Sequence, residues 1–222
     1  MNEKEIKEFY DDTTFPGLYS SEDIIDPGDY LIYLRYIDFI KDNNIKTILD
    51  VGCGTGFITN ILAFHCPEVT ITAIDFSNAI QHGIAISNEL ELGNIMWRQE
   101  NFFDYRNIIK FDCVLSNGSI HHMPRFNEAV EKLKDHSDKF IVVGVYNKYG
   151  KWAQRKFCQK YITPIFKKDQ CRVPFELSFT NKEFLSYFKD WTKIKSYPSF
   201  FIDFFSLFRG QYGGFSLYYF GK

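Results

Sequence analysis

The stretch Leu49-Asp50-Val51-Gly52-Cys53-Gly54-Thr55-Gly56 puts three glycines between a short apolar run and an amphipathic segment. A glycine-rich turn of this kind, between a buried strand and a helix, is typical of the first βα unit of a nucleotide-binding sheet. The spacing is Gly-x-Gly-x-Gly, and Phe57 stands where a dinucleotide loop has its third glycine. That third glycine lets the helix pack close to a pyrophosphate. The loop therefore indicates a nucleoside ligand that lacks a pyrophosphate.

Around this loop, from Ile45 to Val145, short β-branched runs alternate with longer amphipathic segments, which predicts βαβ units and a parallel sheet. The predicted strands are Thr47–Val51, Thr70–Asp75, Ile95–Glu100, Phe111–Ser116 and Phe140–Tyr146, with two closing strands near Thr192–Tyr197 and Phe215–Phe220. The predicted helices are Phe57–His65, Ala79–Leu92 and Phe126–Leu133. The fold class is thus α/β: a Rossmann-like, doubly wound, mostly parallel seven-stranded sheet with helices on both faces. Ligands of such sheets bind at the carboxyl ends of the strands.

The segments that flank the core complete the predicted organisation. Residues 1–26 form a mostly irregular arm, Asp29–Lys41 is an amphipathic helix, and Thr180-Asn181-Lys182-Glu183 is a capping box that opens a helix to about Phe188. We expect one domain over residues 1–222. Its parts are an N-terminal arm and helix (1–44), a cofactor-binding core (45–146), a lid insertion and helix (147–190) and closing strands (191–222).

Composition excludes several classes of protein. The 222 residues carry a formal charge of -2, which argues against a generally basic surface for nucleic acid. The five cysteines are odd in number and form no Cys-x-x-Cys pair, so we expect a reduced compartment and no metal site. There is no apolar run long enough for a membrane span, and the polar N-terminus does not resemble a signal peptide. These features predict a cytoplasmic protein without a membrane span.

An acidic residue accompanies the glycine loop. Asp75 ends the second predicted strand, nineteen residues after Gly56. Neighbouring parallel strands end at the same edge of the sheet, so this carboxylate is expected beside the glycine turn. A carboxylate in that place accepts hydrogen bonds from ribose hydroxyls, and bonds to a charged group are worth roughly 1.5–3 kcal/mol each. Loop and acid together predict a nucleoside site.

The order of motifs resembles that of class I S-adenosylmethionine (SAM)-dependent methyltransferases over about 100 residues. The motifs are the loop with Asp75, then Gln99-Glu100-Asn101-Phe102, then the run from Phe111 to His122. The resemblance implies SAM as cofactor and S-adenosylhomocysteine as product. It implies that Gly52, Cys53 and Gly54 wrap the methionine part, that Asp50 orders the loop, and that Asp75 holds the ribose. It also implies that Phe76 packs on the adenine, Asn101 accepts from its amino group, Phe102 offers a backbone N–H, and Ser116 and Asn117 line the sulfur.

Three side chains are candidates on the substrate side. His121 and His122 follow the fourth strand, and Tyr146 ends the fifth. A histidine near its ordinary pKa is a suitable proton acceptor. A base is needed only when the methyl acceptor carries a proton that must leave. The alternative is that all three pack against the cofactor or the core.

The acceptor is predicted to be a small molecule, and nucleic acid is disfavoured. The chain lacks the Asn/Asp-Pro-Pro-Tyr/Phe motif that orients a planar amino group, and no cysteine follows a proline. Residues 148–172 contain eight basic residues and one acidic residue, interleaved with aromatic residues. Three interpretations remain open for this segment: a solvated helix, a lid for an anionic substrate, or an interfacial segment. The Phe-rich stretch 200–208 is read as part of an apolar pocket or of a homodimer interface.

The alternatives to a small-molecule methyltransferase are a methyltransferase acting on tRNA or protein and a non-catalytic SAM-binding module. Nicotinamide-dependent oxidoreduction is disfavoured by Phe57.

Overall fold

The computed structural model describes residues 3–15, 17–27, 31–148, 175–198 and 215–222. The expectations for 149–172 and 200–208 lie outside the described residues. The strands are β1 Thr47–Val51, β2 Thr70–Asp75, β3 Ile95–Gln99, β4 Phe111–Asn117, β5 Ser137–Tyr146, β6 Thr192–Pro198 and β7 Phe215–Gly221. They form one seven-stranded sheet in the order β3-β2-β1-β4-β5-β7-β6. Strands β1 to β5 are parallel, and β7 pairs antiparallel with both β5 and β6. The predicted fold class is confirmed.

The helices are α1 Glu3–Asp12, α2 Ser21–Ile25, α3 Leu31–Asp42, α4 Phe57–His65, α5 Ile80–Glu89, α6 Phe126–His136 and α7 Asn181–Leu185. Helix α5 ends three residues before the predicted Leu92. The cause is local, because Glu91 has a positive φ of 53° and the Leu92 N–H turns back to Ser87 O at 2.8 Å. The capping box of α7 is confirmed: Thr180 Oγ1 accepts from Glu183 N at 3.2 Å, and Glu183 Oε2 accepts from Thr180 N at 2.7 Å.

The prediction of a mostly irregular arm was wrong for residues 3–12 and 21–25, which are helical. Pairs spaced i,i+4 support α1, with Lys7 Nζ 2.6 Å from Asp11 Oδ2 and Lys4 Nζ 3.7 Å from Glu8 Oε1. Ile6 is the buried residue of α1. Ile6, Phe9 and Tyr10 have the i, i+3, i+4 spacing of a helix, but one such repeat is too short a periodic signal to predict a helix.

Apolar side chains fill both faces of the sheet, because successive residues of a strand point to opposite sides. On one face, Leu49 and Val114 pack with helices α6 and α7 and with a stack of Phe188 on Phe220, whose ring centroids are 4.2 Å apart. On the other face, Ile48 packs with helices α3 and α4. Among the described residues, no helix has the length and apolar character needed to cross a bilayer.

Gly144 in β5 is required by close packing at the carboxyl edge. A Cβ added there would overlap the Phe215 ring and lie 2.5 Å from Asn117 Oδ1. We expect Gly144→Ala to lower the free energy of unfolding by about 1–3 kcal/mol, the usual cost of overpacking. Urea denaturation measures this change. Gly93→Ala is the matched control, because an added Cβ there meets nothing within 4 Å; equal stability of the two variants would contradict the prediction.

Candidate functional site

The glycine loop between β1 and α4 has a backbone that glycine alone adopts readily. Gly52, Gly54 and Gly56 have φ of 70°, 57° and 74°. A Cβ on Gly52 would overlap the Ser119 side chain, and one on Gly54 would overlap the Phe15 carbonyl oxygen. The N–H groups of Gly52 and Cys53 both donate to Ile74 O, at 2.8 and 3.1 Å. The loop is therefore fixed onto the end of β2.

Asp75 is the charged group that faces this loop. Its Oδ2 accepts the Gly54 N–H at 2.8 Å, and its Oδ1 accepts the Ser77 N–H at 2.8 Å and the Ser77 hydroxyl at 2.6 Å. Burial raises the pKa of Asp75, and the hydrogen bonds from Ser77 and Gly54 oppose that rise. A carboxylate offers about four acceptor positions. Three are used, so Oδ2 retains one for a ligand hydroxyl, and rotation of the Ser77 hydroxyl provides a second.

Asp50 lies beneath the loop and is only 3% exposed. Its Oδ2 accepts the Thr59 hydroxyl at 2.6 Å, which ties β1 to the first turn of α4. Burial raises the pKa of Asp50 to about 7; the Thr59 bond opposes this rise, and the nearby Asp75 adds to it. Asp50 is thus enclosed beneath the loop and contacts the start of α4.

The loop after β3 holds the residues expected near adenine. Asn101 Oδ1 accepts the Phe103 N–H at 3.0 Å, and Asn101 Nδ2 donates to Glu3 Oε2 at 2.8 Å. The amide oxygen that the resemblance assigns to adenine therefore accepts a hydrogen bond within its own loop. Phe102 is buried, with its ring 6.1 Å from His136, while Phe76 is half-buried directly after Asp75.

Ser116 and Asn117, at the end of β4, are held by hydroxyl groups. Ser116 Oγ lies 2.8 Å from Ser119 Oγ, and Ser119 Oγ donates to Val51 O at 2.6 Å. Asn117 Oδ1 accepts the Tyr36 hydroxyl at 2.9 Å. Ser119 was not predicted. The sequence feature that could have indicated Ser119 is its position directly after Gly118, in the turn that follows β4.

The three substrate-side candidates form one cluster. The His121 ring centroid lies 4.1 Å from that of His122 and 4.3 Å from that of Tyr146. His121 is fully buried, whereas His122 is 7% exposed and Tyr146 is half-buried. His122 Nδ1 lies 2.9 Å from Phe175 O. A carbonyl only accepts, so Nδ1 carries the proton of the neutral ring and Nε2 is its acceptor nitrogen.

The sequence analysis gave the N-terminal arm no role. In the structure, α1 and the segment after it lie over the carboxyl edge of the sheet. Asp11 Oδ1 accepts the Asn78 N–H at 2.7 Å, and Phe15 O accepts the Thr55 N–H at 3.1 Å. The Tyr10 ring centroid lies 6.0 Å from that of His122. Burial raises the pKa of Tyr10, and the charges of Tyr146 and Asp75 add to the rise. Tyr10 thus lies close to His122 and within the electrostatic influence of Asp75.

A doubly wound sheet, a Gly-x-Gly-x-Gly turn and an acid at the end of β2 together define a nucleoside-binding α/β protein. A methyltransferase-domain family model matches residues 42–170, more than half of the chain. The chain therefore belongs to the class I SAM-dependent methyltransferases. Their cofactor fits the residues present, because the Asp75 carboxylate beside the glycine loop keeps an acceptor position for a ribose hydroxyl.

Curated relatives share part of their length with this chain. Ribosomal RNA small subunit methyltransferase C of Buchnera aphidicola subsp. Baizongia pistaciae is 27% identical over 131 residues, covering 58% of this chain and 38% of that protein. Malonyl-(acyl-carrier protein) O-methyltransferase of Bacillus anthracis is 28% identical over 95 residues, covering 42% of this chain and 34% of that protein. The chain thus spans little more than a third of these relatives.

Solved structures share the fold at low identity. The magnesium protoporphyrin IX methyltransferase of Synechocystis PCC 6803, crystallised with bound S-adenosylhomocysteine, has a TM-score of 0.70 at 12% identity, covering 100% of both chains. The N-methyltransferase NodS of Bradyrhizobium japonicum WM9, also with S-adenosylhomocysteine, has a TM-score of 0.64 at 11% identity, covering 99% of this chain and 97% of that chain.

The buried carboxyl of Asp50 makes stability depend on pH. Its pKa in the folded chain is about 7, against 3.8 when unperturbed. Between these values the unfolded chain has lost the proton and the folded chain keeps it, so wild-type stability falls as pH rises. Asp50→Asn does not titrate. We expect its stability relative to wild type to rise between about pH 4 and 7, by on the order of 1–4 kcal/mol, and to level off above. Urea denaturation across pH measures this; a difference independent of pH would contradict it.

Proposed function

We propose that this chain transfers the methyl group of SAM to a small, anionic acceptor molecule and releases S-adenosylhomocysteine. The observation that carries the proposal is the position of α1. Tyr10 of this helix lies against His122, while Glu3 of the same helix contacts Asn101 on the opposite side of the edge. Because α1 covers the site, the site suits a small acceptor molecule that fits beneath this helix. A base within a folded RNA needs an open approach.

Each site residue has a proposed part in holding the reactants. Gly52, Cys53 and Gly54 would line the methionine part, and Asp75 would accept from the ribose. Asp50 would order the loop. Phe76, Asn101 and Phe102 would surround the adenine, and Ser116 and Asn117 would lie near the sulfur.

The reaction requires mainly that the methyl group of the cofactor and the acceptor atom are aligned. The cofactor supplies a methyl group bound to a positively charged sulfur, and the acceptor displaces it in line. Correct placement of two reactants can contribute about 7–11 kcal/mol. We assign that placement to Tyr10, His122 and Tyr146, which converge beside the nucleoside site. Where the acceptor carries a proton, His122 Nε2 is the nitrogen that takes it, since Phe175 O fixes the proton on Nδ1. His121 is fully buried and supports His122 by packing.

The anionic character of the acceptor is supported by charge in the sequence. Residues 148–172, which follow the substrate-side end of β5, hold eight basic residues against one acid. Opposite charge near a site raises the local concentration of an anionic ligand.

Methylation of ribosomal RNA is the second candidate, and the relatives named ribosomal RNA small subunit methyltransferase C favour it. The end of β4 weighs against it. There the chain reads Asn117-Gly118-Ser119-Ile120 in place of the Asn/Asp-Pro-Pro-Tyr/Phe tetrapeptide that orients a planar amino group. The formal charge of -2 also gives little general attraction for phosphate.

Cofactor binding is tested at Asp75. We expect Asp75→Asn to weaken S-adenosylhomocysteine binding by about 10- to 100-fold, because hydrogen bonds from the ribose to a charged acceptor become bonds to a neutral one. Isothermal titration calorimetry measures the dissociation constant. Wild type should bind SAM and S-adenosylhomocysteine and should not bind NAD.

Asp112→Asn is the control for this titration. Asp112 is also a carboxylate that accepts two backbone N–H groups, from Lys46 at 2.8 Å and Thr47 at 3.1 Å, but it lies at the amino end of β4. This variant should lose stability and keep its affinity for S-adenosylhomocysteine. Equal loss of affinity in both variants would show that the effect of Asp75 is structural.

The acceptor class is tested with SAM labelled in its methyl group. We expect label to reach members of a panel of small carboxylate and phosphate compounds, and none to reach purified ribosomal RNA or small ribosomal subunits. Scintillation counting after separation by size measures the transfer. Label on RNA, with a steep decrease as salt increases, would favour the second candidate. Cofactor binding without transfer to either would favour a non-catalytic SAM-binding module.

A further inference from the structure

In the proposed function the ribose of the cofactor lies on Asp75, and its adenine lies beside Asn101 and Phe102 in the loop that follows β3. Strand β3 is the parallel neighbour of β2, with Asp75 paired to Gln99 in the register. The loop that follows β3, from residue 100 to residue 103, therefore begins beside Asp75, where the Glu100 N–H donates to Asp75 O at 3.0 Å.

The amide group of Asn101 in this loop is hydrogen-bonded to two partners within the protein. Its orientation is fixed from both sides, because the Phe103 N–H at 3.0 Å requires the amide oxygen and the Glu3 carboxylate at 2.8 Å requires the amide nitrogen. The exocyclic amino group of adenine is itself a donor. It needs an acceptor, and the oxygen of Asn101 is already directed into the loop.

Glu3 places a charged acceptor next to the amide of Asn101. Its Oε2 receives the Asn101 amide, and its Oε1 lies 3.2 Å from Arg125 Nε. Arg125 is itself positioned by Phe103, since its guanidinium carbon lies 3.8 Å from the centroid of that ring. A carboxylate has about four acceptor positions, so these two partners leave capacity for a ligand.

We propose that Glu3, in α1, is the residue that accepts a hydrogen bond from the amino group of adenine, so that the N-terminal arm takes part in recognising the base of the cofactor. The proposal rests on the proposed function, in which SAM occupies this site. It implies that base recognition and arm position are linked, because one carboxylate holds α1 to Asn101 and Arg125 and also receives the base.

The test compares two ligands by isothermal titration calorimetry on the full chain. One is S-adenosylhomocysteine, and the other is its analogue with hydrogen in place of the 6-amino group. The proteins are wild type, Glu3→Ala, Glu3→Gln and the control Glu5→Ala, which removes an exposed acid from the same helix. Thermal unfolding of each variant, followed by circular dichroism, verifies folding.

We expect wild type and Glu5→Ala to prefer the amino-bearing ligand by about tenfold, as one hydrogen bond to a charged acceptor implies. In Glu3→Ala the preference should fall to about twofold or less through weaker binding of S-adenosylhomocysteine alone, and Glu3→Gln, which keeps a neutral acceptor oxygen, should lie between.

Two results would overturn the role of Glu3. If Glu3→Ala weakens both ligands equally, the carboxylate only fastens the arm; if the preference is unchanged, another group reads the amino group. In both cases wild type still binds S-adenosylhomocysteine and the proposed function stands. Failure of wild type to bind either ligand overturns both proposals together.

Discussion

The hydrogen bond from the Gly54 N–H to the Asp75 carboxylate holds together the edge of the sheet at which we propose that the cofactor binds. It joins a loop that begins on β1 to the end of β2, and the two N–H groups that donate to Ile74 O reinforce the same attachment. The loop is therefore positioned by the neighbouring strand as well as by its own. Asp75 serves both purposes at once, since the carboxylate that fixes the loop also keeps an acceptor position toward the site. Burial of these carboxyl groups disfavours their charged forms, as the raised pKa values of Asp75 and Asp50 show.

Much of the fold was predictable because its signals are local. Alternating strands and helices, glycines that require positive φ, and a capping box each depend on a few adjacent residues. The general rule that the carboxyl ends of parallel strands share one edge then brings distant positions together. This rule is enough to place Asp75 beside Gly54. It also brings His121 and His122 to Tyr146, which lies 25 positions after His121 in the chain. The roles of these residues remain predictions.

The rest was not predictable because it depends on contacts between distant segments that carry no periodic pattern. Glu3 meets Asn101 across 98 positions, and Asp11 meets Asn78 across 67. Nothing in the short polar sequence of α1 reveals those partners. The orientation of Asn101 illustrates the difficulty: the residue type permits its oxygen to face a ligand, and only the positions of Phe103 and Glu3 show that it turns inward.

The placement of β7 between β5 and β6 has a consequence for synthesis on the ribosome. Strands β1 to β5 can pair in parallel as they emerge, each beside a strand already made or soon to follow. Strand β6 cannot join the sheet in the same way, because its partner is β7, which is translated later. A nascent chain paused before residue 215 would expose one side of β5 as an unpaired edge, open to association with other chains. Chaperone contact during that interval would protect the edge until β7 arrives.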